Sequence, residues 1–170
     1  MTRTAHNEEV LTQAMGAFLK KNYIDSISLF SALLTEQPDH KICLVSRGSA
    51  FLRLNRLDEA LADFDRAVAS HADYARAHHL RGLVKTRQGR NRDALADFDK
   101  AVALDPNYGA AYASRAAVHR ELGHDALAAD DMATAVGLTQ INLENYAEQN
   151  NIWQTRHLQV EENLESELYR

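Results

Sequence analysis

Small and bulky apolar residues recur along this chain in a fixed order, separated by polar turns, and the order itself repeats. The stretch EALADFDRAVA beginning at Glu59 returns as DALADFDKAVA beginning at Asp93, and SRGSAF at Ser46 returns as LRGLVK at Leu80, each displaced by 34 residues. A fixed period of this length marks stacked supersecondary units, none of which can bury its apolar face alone. One further step sets Arg81 and Gly82 on Arg115 and Ala116, Gly89 on Gly123 and Phe98 on Met132; stepping back sets Gly48 on Ala14 and Phe64 on Phe30. Four units are expected, at 7–40, 41–74, 75–108 and 109–142.

Within each unit, small residues stand where two helices must cross closely: Ala14, Gly48, Gly82 and Ala116 on the first helix, Ser26, Ala60, Ala94 and Ala128 on the second. Phe30, Phe64, Phe98 and Met132 are the bulky residues expected to fill the space beside them. The pattern predicts helix, turn, helix, with the ridges of one helix in the grooves of the other. In the third unit the helices should run from about Tyr74 to Arg87 and from about Arg92 to Leu104. Gly89 lies at the turn, and Pro106 follows the end of the second helix. Composition agrees, since seven Gly and two Pro in 170 residues leave few breaks.

These residues resemble the tetratricopeptide repeat family, whose unit has the same length. Unit three matches best, with Gly82, Gly89, Ala94, Phe98, Ala101 and Pro106 in register; unit one lacks the first-helix glycine, and unit four has Met132 for the aromatic and Gln140 for the last proline. The resemblance implies an all-α superhelix and a role in binding other proteins rather than in catalysis. One departure has a physical reading. Arg47, Arg81 and Arg115 precede the small first-helix residue in units two to four, and the same units carry Asp63, Asp97 and Asp131 on the second helix. Unit one has Gln13 and Leu29, so both charges are missing together. An Arg–Asp pair inside each of the three units, largely buried, is expected.

The resemblance further implies a concave groove lined mainly by first helices. The residues it would present to a partner are Leu11, Met15 and Phe18 from unit one, and Val45, Ser49, Leu52 and Arg53 from unit two. Units three and four add Arg76, His79, Leu83, Arg87 and Arg120. That groove is apolar at its first end and cationic along its middle and far wall, a complement to a peptide or helix with apolar anchors and carboxylates. Some members of the family clamp a chaperone's C-terminal carboxylate with two Lys, two Asn and an Arg on three successive first helices. The corresponding positions here are Leu11, Met15, Ser46, Arg76 and Leu80, or Val45, Ser49, Leu80, Ala110 and Ser114 if counted from unit two. Only Arg76 could donate to a carboxylate, so that role is not expected.

Beyond Ile141 the repeat gives way to NLENYAEQNNIWQTRHLQVEENLESELYR, with no Gly or Pro to end a helix. Residues 143–170 read as a helix whose first half, with Tyr146, Asn150 and Trp153 at first-helix positions, caps the array. Its second half is acidic and carries Val160, Leu164 and Leu168 at a spacing of four. The segment holds six acidic and two basic residues, most of the chain's net charge of −5. It is a candidate for homo-oligomer contacts, docking on the groove of another copy, or for folding back to occupy its own groove until a partner displaces it.

Other chemistries find little support. The adjacent His78 and His79 point to different faces, and His119 and His124 flank a turn, so no two histidines share the i, i+4 spacing of a helical metal pair. Cys43, alone among apolar neighbours, reads as a small buried hydrophobe. No phosphate loop or nucleophile motif occurs, and a pI near 5.9 argues against nucleic acid. No export signal or membrane span is visible, and a cytoplasmic setting is expected. The reading is therefore a scaffold or adaptor without catalytic residues, metal or cofactor, with a self-associating structural module as the alternative.

Overall fold

The computed structural model describes residues 3–149. Eight helices follow one another: α1 (Arg3–Leu19), α2 (Tyr23–Glu36), α3 (Lys41–Arg53), α4 (Leu57–Ser70), α5 (Ala75–Arg87), α6 (Asn91–Leu104), α7 (Gly109–Glu121) and α8 (Asp125–Gln149). Each odd helix packs on the even helix after it, and each even helix up to α6 packs on the next odd one. The helices of the third unit fall within a residue of the positions read from the sequence.

The turns inside the four pairs share one backbone solution. Lys21, Asn55, Gly89 and Gly123, at the same repeat position, all have φ between 58° and 76°. Around each, two hydrogen bonds close a Schellman motif: in the third pair the N–H of Arg90 donates to the Lys85 carbonyl and that of Gly89 to the Thr86 carbonyl. Glycine enters this left-handed region freely and Asn tolerates it, whereas Lys21 is held there by the motif.

Close approach of the paired helices explains the small residues. A Cβ built on Gly82 would lie 2.6 Å from the Phe98 ring, and one on Gly48 2.7 Å from Phe64. Phe30, Phe64 and Phe98 are fully buried. Since these rings have no room to withdraw, Gly82→Ala should lower stability by about 1–3 kcal/mol despite its better helix propensity. Urea unfolding of the variant checks this.

Met132 departs from the expected pattern. It stands where the three phenylalanines stand, yet 42% of it is exposed, and Val136 four residues on is 61% exposed. The phenylalanines are sealed by the first helix of the following pair, and no such helix covers α8 among the described residues. A second departure concerns the expected capping helix. No break occurs at 142/143, because α8 runs through to Gln149. In the first and third pairs Pro38 and Pro106 follow the second helix; Gln140 takes that place in the fourth and lets the helix continue. Most of the expected 143–170 helix, with Asn150, Trp153, Val160, Leu164 and Leu168, lies outside the described residues.

Candidate functional site

The odd helices form the inner wall. α1 touches α3, α3 touches α5 and α5 touches α7, whereas among the described residues no even helix touches another. A stack crowded on one side and open on the other curves toward the crowded side, which places α1, α3, α5 and α7 on the concave face.

Each inner helix is packed against its own partner, the preceding even helix and its odd neighbours, so only a narrow strip of it stays free. This corrects part of the expected groove. Val45, Leu52 and His79 are buried and offer a partner almost no surface. Leu11, Phe18, Ser49 and Leu83 are half-buried, while Met15, Arg53, Arg76, Arg87 and Arg120 are exposed. Ser49 turns its hydroxyl onto the Val45 carbonyl of its own helix at 2.7 Å. Leu11 opens into a cleft of about 530 Å³ at the first end of the array, with Leu33 and Cys43 on its walls and Glu8, Glu36 and His40 at its rim. Burial pushes the Cys43 thiol up to about 11, so at neutral pH it is an inert apolar side chain.

His79 has a structural part. Its Nδ1 lies 2.9 Å from the Tyr108 hydroxyl and its Nε2 2.9 Å from Ser114 Oγ, joining α5 to α7. Burial, with the nearby Arg76 cation adding to it, lowers its pKa from 6.5 to about 4. Above pH 6.5 the ring is neutral in both folded and unfolded chains; between 6.5 and 4 only the unfolded chain takes up the proton. Stability should therefore fall as the pH drops through that window, by roughly 3 kcal/mol in all. Denaturant midpoints for the native chain and His79→Gln over this range test it, since the variant should lack this part of the slope.

The expected Arg–Asp pairs are present in all three units. Arg47 Nη2 lies 2.6 Å from Asp63 Oδ1, Arg81 Nη2 2.6 Å from Asp97 Oδ1, and Arg115 Nη2 2.6 Å from Asp131 Oδ1, each with Nε donating to the same carboxylate. The sequence reading missed that each guanidinium also reaches back one unit. Nη1 of Arg47 donates to Ser31, that of Arg81 to Asp65 and that of Arg115 to Asp99. The signal lies in the phrase Asp-Phe-Asp at 63–65 and 97–99: the first Asp holds its own unit's arginine, the second the next unit's. Two further contacts were not foreseen. Lys85 Nζ approaches Asp97 at 2.7 Å. His119 and His124 come together across the turn with their Nδ1 atoms 3.2 Å apart.

Ion pairing divides the arginines. Arg3, Arg47, Arg56, Arg66, Arg81, Arg90 and Arg115 are paired with carboxylates. Among the described residues Arg53, Arg76, Arg87, Arg92 and Arg120 have no carboxylate partner, and four of these five stand on α3, α5 and α7. Arg87 is engaged in another way: its Nη1 donates to the Leu52 carbonyl at 3.2 Å, a second donor on an oxygen that also accepts the Asn55 N–H in the turn after α3. No group of three or more metal-ligating side chains occurs among the described residues, and no helix there is long and apolar enough to cross a membrane.

Known proteins share this architecture. The chain is similar to a crystal structure of MamA, with 20% identity over 81% of each chain and a TM-score of 0.73. It is similar to TTC0263, a thermophilic TPR protein of Thermus thermophilus, with 21% identity over 78% of this chain and 74% of that one and a TM-score of 0.70. It is also similar to the first TPR of Spaghetti (RPAP3) bound to the HSP90 peptide SRMEEVD, with 21% identity over 69% of this chain and 93% of that one and a TM-score of 0.66. At such identities these likenesses show the fold. A comparison with the curated proteins finds no match. Two family models, each described as a tetratricopeptide repeat, match residues 11–75 and 75–108. The chain belongs to the tetratricopeptide repeat family.

Proposed function

We propose that the chain is a non-catalytic scaffold whose concave face takes an acidic peptide or helix of a partner protein. The observation that carries this reading is the set of arginines left without carboxylates on the inner helices. Seven of the described arginines pair with carboxylates within the fold and the unpaired Arg92 lies on α6, whereas Arg53, Arg76 and Arg120 remain available on the inner helices to an incoming anion. Such a stripe steers and orients an acidic partner. The cleft beside Leu11, with the exposed Met15 near it in sequence, supplies the apolar end for an anchoring side chain. The peptide held by the Spaghetti domain is itself acidic, but the five positions of a carboxylate clamp hold Leu11, Met15, Ser46, Arg76 and Leu80 here. Recognition of side-chain carboxylates along the segment therefore fits this groove better than capture of a chain terminus.

Selection from a random peptide display library tests the proposal. The native chain should enrich sequences that combine Asp or Glu with bulky apolar residues. A variant carrying Arg53→Glu, Arg76→Glu and Arg120→Glu should lose them and favour basic sequences. Arg87 is left intact because it secures the end of α3. Enrichment of the same peptides by both proteins would overturn the reading.

A further inference from the structure

The cleft at the first end of the array lies where the later units place a ring of their own. His40, Tyr74 and Tyr108 share one repeat position, and each stands at the start of the next inner helix, α3, α5 and α7. Neither tyrosine side chain caps that helix. Each ring lies instead beside the first helix of its own unit. The Tyr108 ring centre is 5.0 Å from that of His79, with the hydroxyl 2.9 Å from His79 Nδ1, and Lys41 Nζ is 5.5 Å from the centre of the Tyr74 ring. His40 does something else. Its imidazole turns to the start of α3, where Nδ1 accepts the Cys43 N–H at 3.3 Å. Asn7 and Leu11, the repeat counterparts of Lys41 and His79, then border the open cleft of about 530 Å³ with His40 at its edge.

The lining says which side chain suits this place. Leu11, Leu33 and Cys43 give an apolar floor, and Leu33 stands where the later units have only Ala67 and Ala101. The rim carries two carboxylates, Glu8 and Glu36, and one cation, Arg3, which Glu36 already holds at 3.2 Å. A partner's Asp or Glu is repelled at such an entrance. An aromatic ring is not, because its face covers the apolar floor while its electropositive edge meets the rim carboxylates. A branched aliphatic side chain gains the floor alone.

We infer that the cleft receives a phenylalanine or tyrosine ring of the partner segment, set apart in that segment from the carboxylates that the inner arginines take. This rests on the reading of the concave face as a peptide site, and it names the anchor of that peptide. The chain's own tyrosines are the template for the fit.

N-acetylphenylalanine amide, which carries no charge, tests the seat separately from the arginines. Titrated into the full chain, it should move the methyl NMR signals of Leu11 and Leu33 in a saturable way and leave those of Val118, in the fourth unit, in place. It should bind about five-fold more tightly than N-acetylleucine amide. His40→Tyr gives the first unit the residue of the second and third, so its ring should fill the cleft from within and weaken the amide on the order of ten-fold, with the helical circular dichroism unchanged. No saturable shift at Leu11 and Leu33, equal binding of the two amides, or a folded His40→Tyr chain that binds the ring as the native chain does would each overturn the inference. None of these outcomes involves Arg53, Arg76 or Arg120, so a failure of the seat and a failure of the acidic-peptide reading are seen in different experiments.

Discussion

Asp97→Ala is expected to lower stability by about 3–5 kcal/mol, the largest effect of any single charge in the molecule. The Asp97 carboxylate is almost fully buried and receives Arg81 through two donors and Lys85 through a third, with His78 Nδ1 3.9 Å away. Removing it leaves Lys85 without its carboxylate and Arg81 with only the half-exposed Asp65, two cations in a poorly solvated site. Asp65 offers the contrast, because it meets the same guanidinium at 3.0 Å but its side chain is 54% exposed. Asp65→Ala should cost less than about 1 kcal/mol. Replacing Arg81, Lys85 and Asp97 together by Met, Met and Leu should recover much of the loss, since what hurts is the unpaired charge rather than the missing attraction. Urea unfolding of the four proteins decides this, and equal costs at Asp97 and Asp65 would refute it.

The second large effect separates positions that the repeat makes equivalent. Phe98→Ala should cost about 3–5 kcal/mol, since it empties a site enclosed by Gly82, α5 and the neighbouring units. Met132→Ala, at the same point of the fourth unit, should cost less than about 1 kcal/mol when measured on dilute protein, because Met132 is already partly in water. Similar losses at the two sites would mean that α8 is covered in the single chain.

What could be read from the sequence follows from what the period encodes. Recurrence at 34 residues located the helices, the close crossings at Gly48 and Gly82, and the Arg–Asp pairs, because each is made within one unit and leaves its trace in every copy. Contacts between units left weaker traces. The second Asp of each Asp-Phe-Asp reads as a solvated residue until the next unit's arginine is placed above it. Lys85 meets Asp97 in one unit alone, so no recurrence could announce it. The left-handed turn was visible at Gly89 and hidden at Lys21, where the backbone takes the same form without the glycine. Val45, Leu52 and His79 were assigned to the groove because they share a helix face with groove residues; how much of that face the neighbouring inner helices cover is set by the curvature of the stack, which no single unit records. Met132 was expected in the core because its repeat position is a core position, and it is exposed because no further helix covers α8 among the described residues.

The central claim is that the inner arginines bind carboxylates. Its most direct test is the salt dependence of affinity for one acidic peptide selected by the native chain, measured by titration calorimetry on that chain and on the variant with Glu at 53, 76 and 120. Three arginines engaging carboxylates predict that the native dissociation constant climbs steeply from low to high salt, and that the variant binds too weakly to measure at any salt concentration. A native affinity that ignores salt, or a variant that binds as well as the native chain, would contradict the account.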